Sequence, residues 1–363
     1  MRGWLSAGRF VRGFVRPDPE LAEEQVRLQS GAREVEGTLY RPAGGRPAPA
    51  WVVLHGVTVP GRRHPSLVRF ARALAAAGHV VLLPDVPVWR ALEMHPAAAG
   101  DAIAGADDYL ATRPDVLPGP VNVVGFSVGA TQALIAAAEP RLRERVDRVV
   151  GFGGYCDLKR TLVCMCTGEH EWRGTRHRVQ PDPYGRWLIA GAYLTRVPGF
   201  ERMDAVAAGL RRLGREAGVR GVAAWADVYD ELKLVIRRTL SPAERAPWDL
   251  LAPPAGRPPA DVHAARELAL WLTDAALAAD PRLDPRPALP SVRARVVLAH
   301  GRDDRLIPFT ETLRLREALP PALPAFHAVT ALFAHSGTGA GLHPLRTAAE
   351  AAAFLRLLRV ALG

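Results

Sequence analysis

Ser127 lies in the run Gly125-Phe126-Ser127-Val128-Gly129. Val123 and Val124 before it read as the end of a buried strand, and the uncharged residues after it read as a buried helix. A chain passing from strand to helix there must turn sharply. Glycine two positions to either side of the serine removes the side chains that would crowd such a turn and leaves the hydroxyl raised above the sheet edge. A serine hydroxyl is a poor nucleophile at neutral pH unless a base takes its proton and a third group fixes that base's tautomer. Two downstream stretches carry such groups. His300-Gly301-Arg302-Asp303-Asp304-Arg305-Leu306-Ile307-Pro308 follows an apolar run and brings carboxylates, and Phe333-Ala334-His335-Ser336 follows the last apolar run and brings an imidazole. Each residue taken singly reads as a turn serine, a loop carboxylate or a structural histidine. Their joint type, order and placement argue for chemistry.

The elements that must position these residues are legible from periodicity. Residues 25–28 and 34–40 read as a hairpin pair, and residues 51–54 (Trp-Val-Val-Leu) form the continuous apolar run of a strand covered on both faces. Leu67, Phe70, Ala71 and Leu74 recur at helical spacing, and Gly78 is placed for a left-handed cap. Strands are expected at 79–83, 121–125, 148–152, 295–299 and 326–330, with helices at 101–112, 128–138, 310–318 and 344–362. This alternation predicts an α/β fold: a mostly parallel central sheet flanked by helices. Between 158 and 290 it stops. There Val222, Trp225, Val228, Tyr229, Leu232, Val235 and Ile236 mark one amphipathic helix and 262–276 another, and eight prolines from Pro253 to Pro290 punctuate loops.

With the nucleophile, acid and histidine in that order, and an elbow of this kind, the chain resembles the α/β-hydrolase superfamily of serine esterase type from about residue 25 to residue 362, the 158–290 segment apart. The resemblance implies Ser127 as nucleophile and His335 as base. Gly301, Ile307 and Pro308 match the pattern of the family's acid loop and select Asp304, with Asp303 as its rival; His300, His327 and His343 are the alternative imidazoles. A tetrahedral intermediate also needs donors aimed at its oxygen, one commonly being the amide after the nucleophile, here Val128. His55-Gly56-Val57 matches the family's His-Gly loop and nominates the Val57 amide as the second, with His55 shaping the loop. Asp85 precedes the serine and is expected to shape a loop as well. The resemblance divides the chain into an amphipathic segment (1–24), a core (25–157 and 291–363) and a helical lid insertion (158–290) carrying Trp172, Trp187, Trp225, Trp248 and Trp271. Tyr184, Tyr193 and Tyr229 join them as candidates for lid packing or an apolar pocket, and Arg173, Arg176, His177, Arg178 and Arg186 raise an anionic substrate as a rival. The implied activity is hydrolysis of a small-molecule carboxylic ester without a cofactor. Amide cleavage or acyl transfer would use the same residues, and an inert binding protein is the reading from another class.

Composition bounds the alternatives. The chain has 363 residues, 48% hydrophobic and 23% charged, which supplies a core and excludes disorder as the main state. Its three cysteines, Cys156, Cys164 and Cys166, are an odd number in a short stretch, as expected of reduced thiols in a cytoplasmic protein rather than a disulfide framework. With His170 and His177 they lack metal-site spacing, so no metal is expected. The net charge is +10, and 45 of the 47 basic residues are arginine. They are scattered rather than gathered into a stripe, so no nucleic-acid partner is expected. The 23 uncharged residues from 116 to 138 are interrupted by Pro118, Gly119, Pro120 and Gly125, and read as strand, turn and helix rather than a membrane span. Residues 1–16 mix Trp4, Leu5, Phe10, Val11, Phe14 and Val15 with arginines and contain no apolar stretch of secretory length. They read as an amphipathic helix packed on its own domain, with peripheral membrane contact as the alternative.

Overall fold

Residues 2–16, 18, 20–42, 44, 46–331 and 344–363 are described by the computed structural model. The described residues form ten strands: β1 (Ala22–Ser30), β2 (Arg33–Arg41), β3 (Ala50–Leu54), β4 (Val80–Pro84), β5 (Val121–Phe126), β6 (Val146–Phe152), β7 (Glu169–Trp172), β8 (Thr175–Arg178), β9 (Arg295–Gly301) and β10 (Ala325–Thr330). Eight of them make one sheet in the order β1-β2-β4-β3-β5-β6-β9-β10. β2 runs antiparallel to both β1 and β4, and every other pairing is parallel. The apolar runs form the centre because both of their faces are covered. Val52 and Leu54 enter one core while Trp51 and Val53 enter the other; Val80 and Leu82 part from Val81 and Leu83 in the same way.

One core is closed by the helices Ala98–Ala111 and Val128–Ala138, the other by Pro65–Ala76 and Pro344–Leu362. The helix Arg2–Val15 buries Ala7 and Phe10 in the second core, with Phe10 edge-on to Phe70 at 5.1 Å. It thus packs on its own domain, and Trp4 (51% exposed) and Leu5 (62%) stay at the surface. Among the described residues, no helix is long and apolar enough to cross a membrane.

Between β6 and β9 the chain forms six helices, Leu158–Thr167, Tyr184–Tyr193, Asp204–Arg220, Asp230–Thr239, Pro242–Leu251 and Val262–Ala279, and the partly buried hairpin β7-β8. The helix expected across Val222 to Ile236 is corrected here. Residues 222–226 lie outside any helix, a 3-10 turn covers Asp227–Tyr229, and the α-helix starts at Asp230. Val222, Val228 and Val235 are exposed, so the apparent stripe was not one buried face. Trp187 and Trp248 are fully buried and hold the segment together, whereas Trp271 is half-exposed.

Candidate functional site

In the sheet, β3 has β4 on one side and β5 on the other, so the chain winds away in opposite directions from this pair. Such a switch point leaves a crevice beyond the carboxyl ends of the strands. Leu54 pairs with Gly125, so β3 and β5 end level and their loops emerge together. The loop after β3 is His55-Gly56-Val57, and the turn after β5 is Ser127.

Ser127 has φ 56° and ψ −128°, one of three non-glycine residues with positive φ among those described. That region costs a side-chain-bearing residue about 1–3 kcal/mol unless its surroundings fix it. They do. Its N–H donates to the Phe152 carbonyl at 2.8 Å, and its carbonyl accepts from Ala130 N–H at 2.9 Å. The flanking glycines are required sterically rather than conformationally: a Cβ at Gly125 would stand 2.3 Å from the Gly129 oxygen, and one at Gly129 would stand 2.6 Å from the His55 oxygen. A Cβ at Gly56 would come within 3.3 Å of the Ser127 Cβ, which puts the post-β3 loop against the serine. Val128 opens the helix Val128–Ala138, whose first amides have no intrahelical acceptor and lie at its positive end.

His55 is 1% exposed and ties this loop down. Val86 N–H donates to its Nε2 at 3.1 Å, so the proton sits on Nδ1, which donates to the Gly56 carbonyl at 2.7 Å. Burial holds its pKa below the ordinary histidine value, against the upward pull of the Gly56 carbonyl and of Asp85. The imidazole is therefore a neutral strap. Asp85 has an oxygen 3.8 Å from His55 Nε2 and binds Arg90 at 2.8 Å, so it sits among the groups that frame the loop.

Asp304 follows β9 and is 2% exposed, whereas Asp303 is exposed. Its Oδ1 accepts from Leu306 N–H at 2.9 Å and from Ile307 N–H at 3.0 Å. Those two bonds hold Oδ1 inside the turn. His300 lies 3.4 Å from Asp304 Oδ2, but its own ring is engaged with Thr312 Oγ1 at 2.7 Å and the Ile307 carbonyl at 2.8 Å. It is a buried structural histidine. His335 and His343 lie outside the described residues, and His327 is on the edge strand β10.

Sequence reasoning did not single out three long-range contacts around the site, two of which come from the 158–290 segment. Tyr184 donates its hydroxyl to the Val57 carbonyl at 3.2 Å, and Asp182 N–H donates to the Arg305 carbonyl at 2.8 Å. Glu311, 1% exposed, accepts from the Cys156 and Asp157 amides at 3.1 and 2.7 Å, where the chain leaves β6. Burial pushes its carboxyl up to about 7. No local pattern announces any of these, since each joins residues more than a hundred positions apart.

The arginines that raised an anionic substrate are mostly committed. Arg173 pairs with Glu317 at 2.6 Å and Arg178 with Glu169 at 3.3 Å. Arg186 is buried and donates to the Leu251 and Met165 carbonyls, each at 2.8 Å. Arg176 and His177 line a cleft of about 820 Å3 whose wall also carries Glu169, Glu171 and Glu311. Cys156, Cys164 and Cys166 are free and buried, and burial raises all three thiols, up to about 12 for Cys156 and about 11 for Cys166.

The sheet order, the two helical layers and the strand-turn-helix elbow are those of the α/β-hydrolases, and the protein has the α/β-hydrolase fold. No protein-family model matches the chain. Among solved structures it is similar to the uncomplexed acylaminoacyl peptidase of Pyrococcus horikoshii, with a TM-score of 0.52 and 12% identity over 96% of this chain and 43% of that one. It is also similar to brefeldin A esterase, a bacterial homologue of human hormone-sensitive lipase, with a TM-score of 0.50 and 18% identity over 99% of this chain and 84% of that one. Among curated sequences, a putative phosphoribosyl transferase of Mycobacterium tuberculosis (strain ATCC 25618 / H37Rv) is 35% identical over 147 residues, 39% of this chain. The chain spans 32% of the length of that relative and of its counterpart in strain CDC 1551 / Oshkosh.

Proposed function

We propose that the protein is a serine hydrolase that cleaves a carboxylic ester through an acyl-enzyme intermediate. The observation that carries this reading is the strained Ser127, held at φ 56° at the switch point between two glycines where any Cβ would press on neighbouring backbone. Strain of that kind is retained where geometry matters more than stability. In the proposed reaction His335 takes the proton as Ser127 Oγ attacks the ester carbonyl, and returns it to the leaving alcohol as the carbonyl re-forms. Asp304 holds His335 in the competent tautomer and stabilises its charged form. The amides of Val128 and Val57 donate to the oxyanion. Water, activated by the same imidazole, then attacks the acyl carbonyl and releases the acid. The 158–290 segment is proposed to act as the lid over this site, its aromatic residues offering an apolar wall to the substrate.

A fluorophosphonate probe tests the reading directly, because it reacts with an activated serine and leaves an ordinary hydroxyl alone. Peptide mass spectrometry is expected to find one adduct, on Ser127. The Ser127→Ala protein is expected to lose both the adduct and the turnover of p-nitrophenyl esters. Folded wild-type protein that takes up no probe, while keeping a native circular-dichroism spectrum, would instead support an inert binding protein. A peptidase or acyltransferase would label equally and is separated by supplying amide substrates and alternative acyl acceptors.

A further inference from the structure

Two loops of the proposed site, one after β3 and one after β9, are reached by a single short piece of the 158–290 segment. Pro181-Asp182-Pro183-Tyr184 places Asp182 N–H on the Arg305 carbonyl at 2.8 Å, next to Asp304, and the Tyr184 hydroxyl on the Val57 carbonyl at 3.2 Å. The piece is stiff for identifiable reasons. Proline on both sides of Asp182 locks two φ angles. Asp182 Oδ1 accepts from Tyr184 N–H at 2.9 Å, fixing the start of the helix Tyr184–Tyr193. Gly185 lets that helix lie close: a Cβ there would stand 2.5 Å from Met165 and 3.0 Å from Leu306, in the acid loop.

The effect on Val57 follows from peptide geometry. The plane joining Gly56 and Val57 is fixed by His55, which binds the Gly56 carbonyl. The plane joining Val57 and Thr58 is fixed by Tyr184, which binds the Val57 carbonyl. The Val57 N–H shares the first plane with the Gly56 carbonyl, so the His55 bond sets its direction; a plane held by one hydrogen bond can still pivot about it, and the Tyr184 bond stops that by anchoring the far side of Val57 Cα. His55, from the core, orients the donor, and Tyr184, from the helical segment, keeps it from swinging away. Burial raises the Tyr184 phenol well above its ordinary value, which keeps the donor proton in place at any working pH.

We infer that residues 182–184 form a strut across the site and that Tyr184 is a positioning residue: it aims the Val57 amide at the oxygen on which negative charge develops. The inference rests on the proposed serine-hydrolase reading and assigns the helical segment a second task besides covering the substrate. The strut aims a donor whose interaction strengthens as the oxyanion forms, so it acts on kcat rather than on ground-state binding.

Tyr184→Phe removes one oxygen and keeps the ring. For the best p-nitrophenyl ester, kcat is expected to fall about tenfold with KM unchanged, the size of one lost hydrogen bond. A trifluoromethyl ketone of the same acyl shape, which becomes an oxyanionic hemiketal on Ser127, is expected to bind about tenfold more weakly. Amide hydrogen exchange at residues 55–58 is expected to quicken in Tyr184→Phe, and equally so in a Ser127→Ala background where no chemistry occurs. A rise in KM with kcat intact, unchanged affinity for the ketone, or unchanged exchange would each overturn the strut. Should Tyr184→Phe not fold, Asp182→Ala, which frees the Tyr184 amide, is expected to give the same kcat and exchange pattern. A wild-type protein that the fluorophosphonate leaves unlabelled would defeat the hydrolase reading itself, while the exchange comparison would still decide whether the strut exists.

Discussion

Replacing Gly129 by alanine tests the geometry of the elbow and the loop facing it at one stroke. The added methyl would lie 2.6 Å from the His55 carbonyl oxygen and 3.4 Å from both the His55 carbonyl carbon and the Leu54 oxygen. To reach an ordinary contact near 3.5 Å the His55 backbone must retreat by roughly 0.9 Å, because neither obstacle is a side chain that can swing aside. Overpacking of this kind costs about 1–3 kcal/mol, and the better helix propensity of alanine returns at most about 1 kcal/mol. The protein is therefore expected to fold, with its urea midpoint lowered. The activity should suffer more than the stability, because His55 is the root of the loop that presents Val57. A displacement near 1 Å at a catalytic group costs up to about 100-fold, so kcat/KM for p-nitrophenyl acetate is expected to fall by about 10- to 100-fold. Gly8→Ala is the control. It lies within the helix Arg2–Val15 with nothing within 4 Å of the added methyl, so it should stabilise by about 0.5–1 kcal/mol and leave turnover alone. A folded Gly129→Ala protein with wild-type kcat/KM would refute the reasoning that the post-β3 loop is part of the site.

Two further outcomes are expected. Asp304→Asn can keep Oδ1 as acceptor for Leu306 and Ile307, so it should fold as the wild type does; as the acid of a triad it should lower kcat by up to about 10⁴ through the wrong imidazole tautomer, while exposed Asp303→Asn should change it little. The reverse ranking in the same ester assay would move the acid to Asp303. His79 is buried beside Trp51, its two ring nitrogens have no hydrogen-bond partner among the described residues, and burial pushes its pKa down to about 4. The folded state thus disfavours its protonation, so the contribution is full above about pH 6.5 and is lost as pH falls towards 4, amounting to at most about 3 kcal/mol. His79→Phe should flatten the acid limb of urea stability measured between pH 7 and 4.5, and an unchanged limb would show that other groups carry it.

The sheet was legible because its central strands are covered on both faces and must be written as continuous apolar runs, as at Trp51–Leu54 and Val80–Leu83. The helix expected over 128–138 is observed at Val128–Ala138, since a buried alanine-rich run between Ser127 and Pro140 has one economical reading. The segment between β6 and β9 was far less legible. Asp204–Arg220 carries Gly209 and Gly214 in its interior, which depress helix propensity. They are there for packing: a Cβ at Gly209 would stand 2.7 Å from Trp248, and one at Gly214 would stand 2.8 Å from Leu188. The hairpin β7-β8 has almost no apolar alternation to betray it and is made by a turn with Arg173 and Gly174 at positive φ. At the site, the positions of Ser127 and Asp304 at strand ends could be read from flanking patterns. The loop-shaping part of His55 was expected as well, but the ties from Tyr184 and Glu311 could not be read, because hydrogen bonds to distant backbone leave no periodic trace in a chain.

The backbone contortion at residue 127 bears on how this molecule would fare under directed selection. A conformation that glycine adopts freely and serine only under constraint means that glycine at this position would relieve the chain of strain, and on the proposed reading it would also remove the nucleophile. Breeding for heat resistance and breeding for turnover would then drive the lineage apart at a single codon.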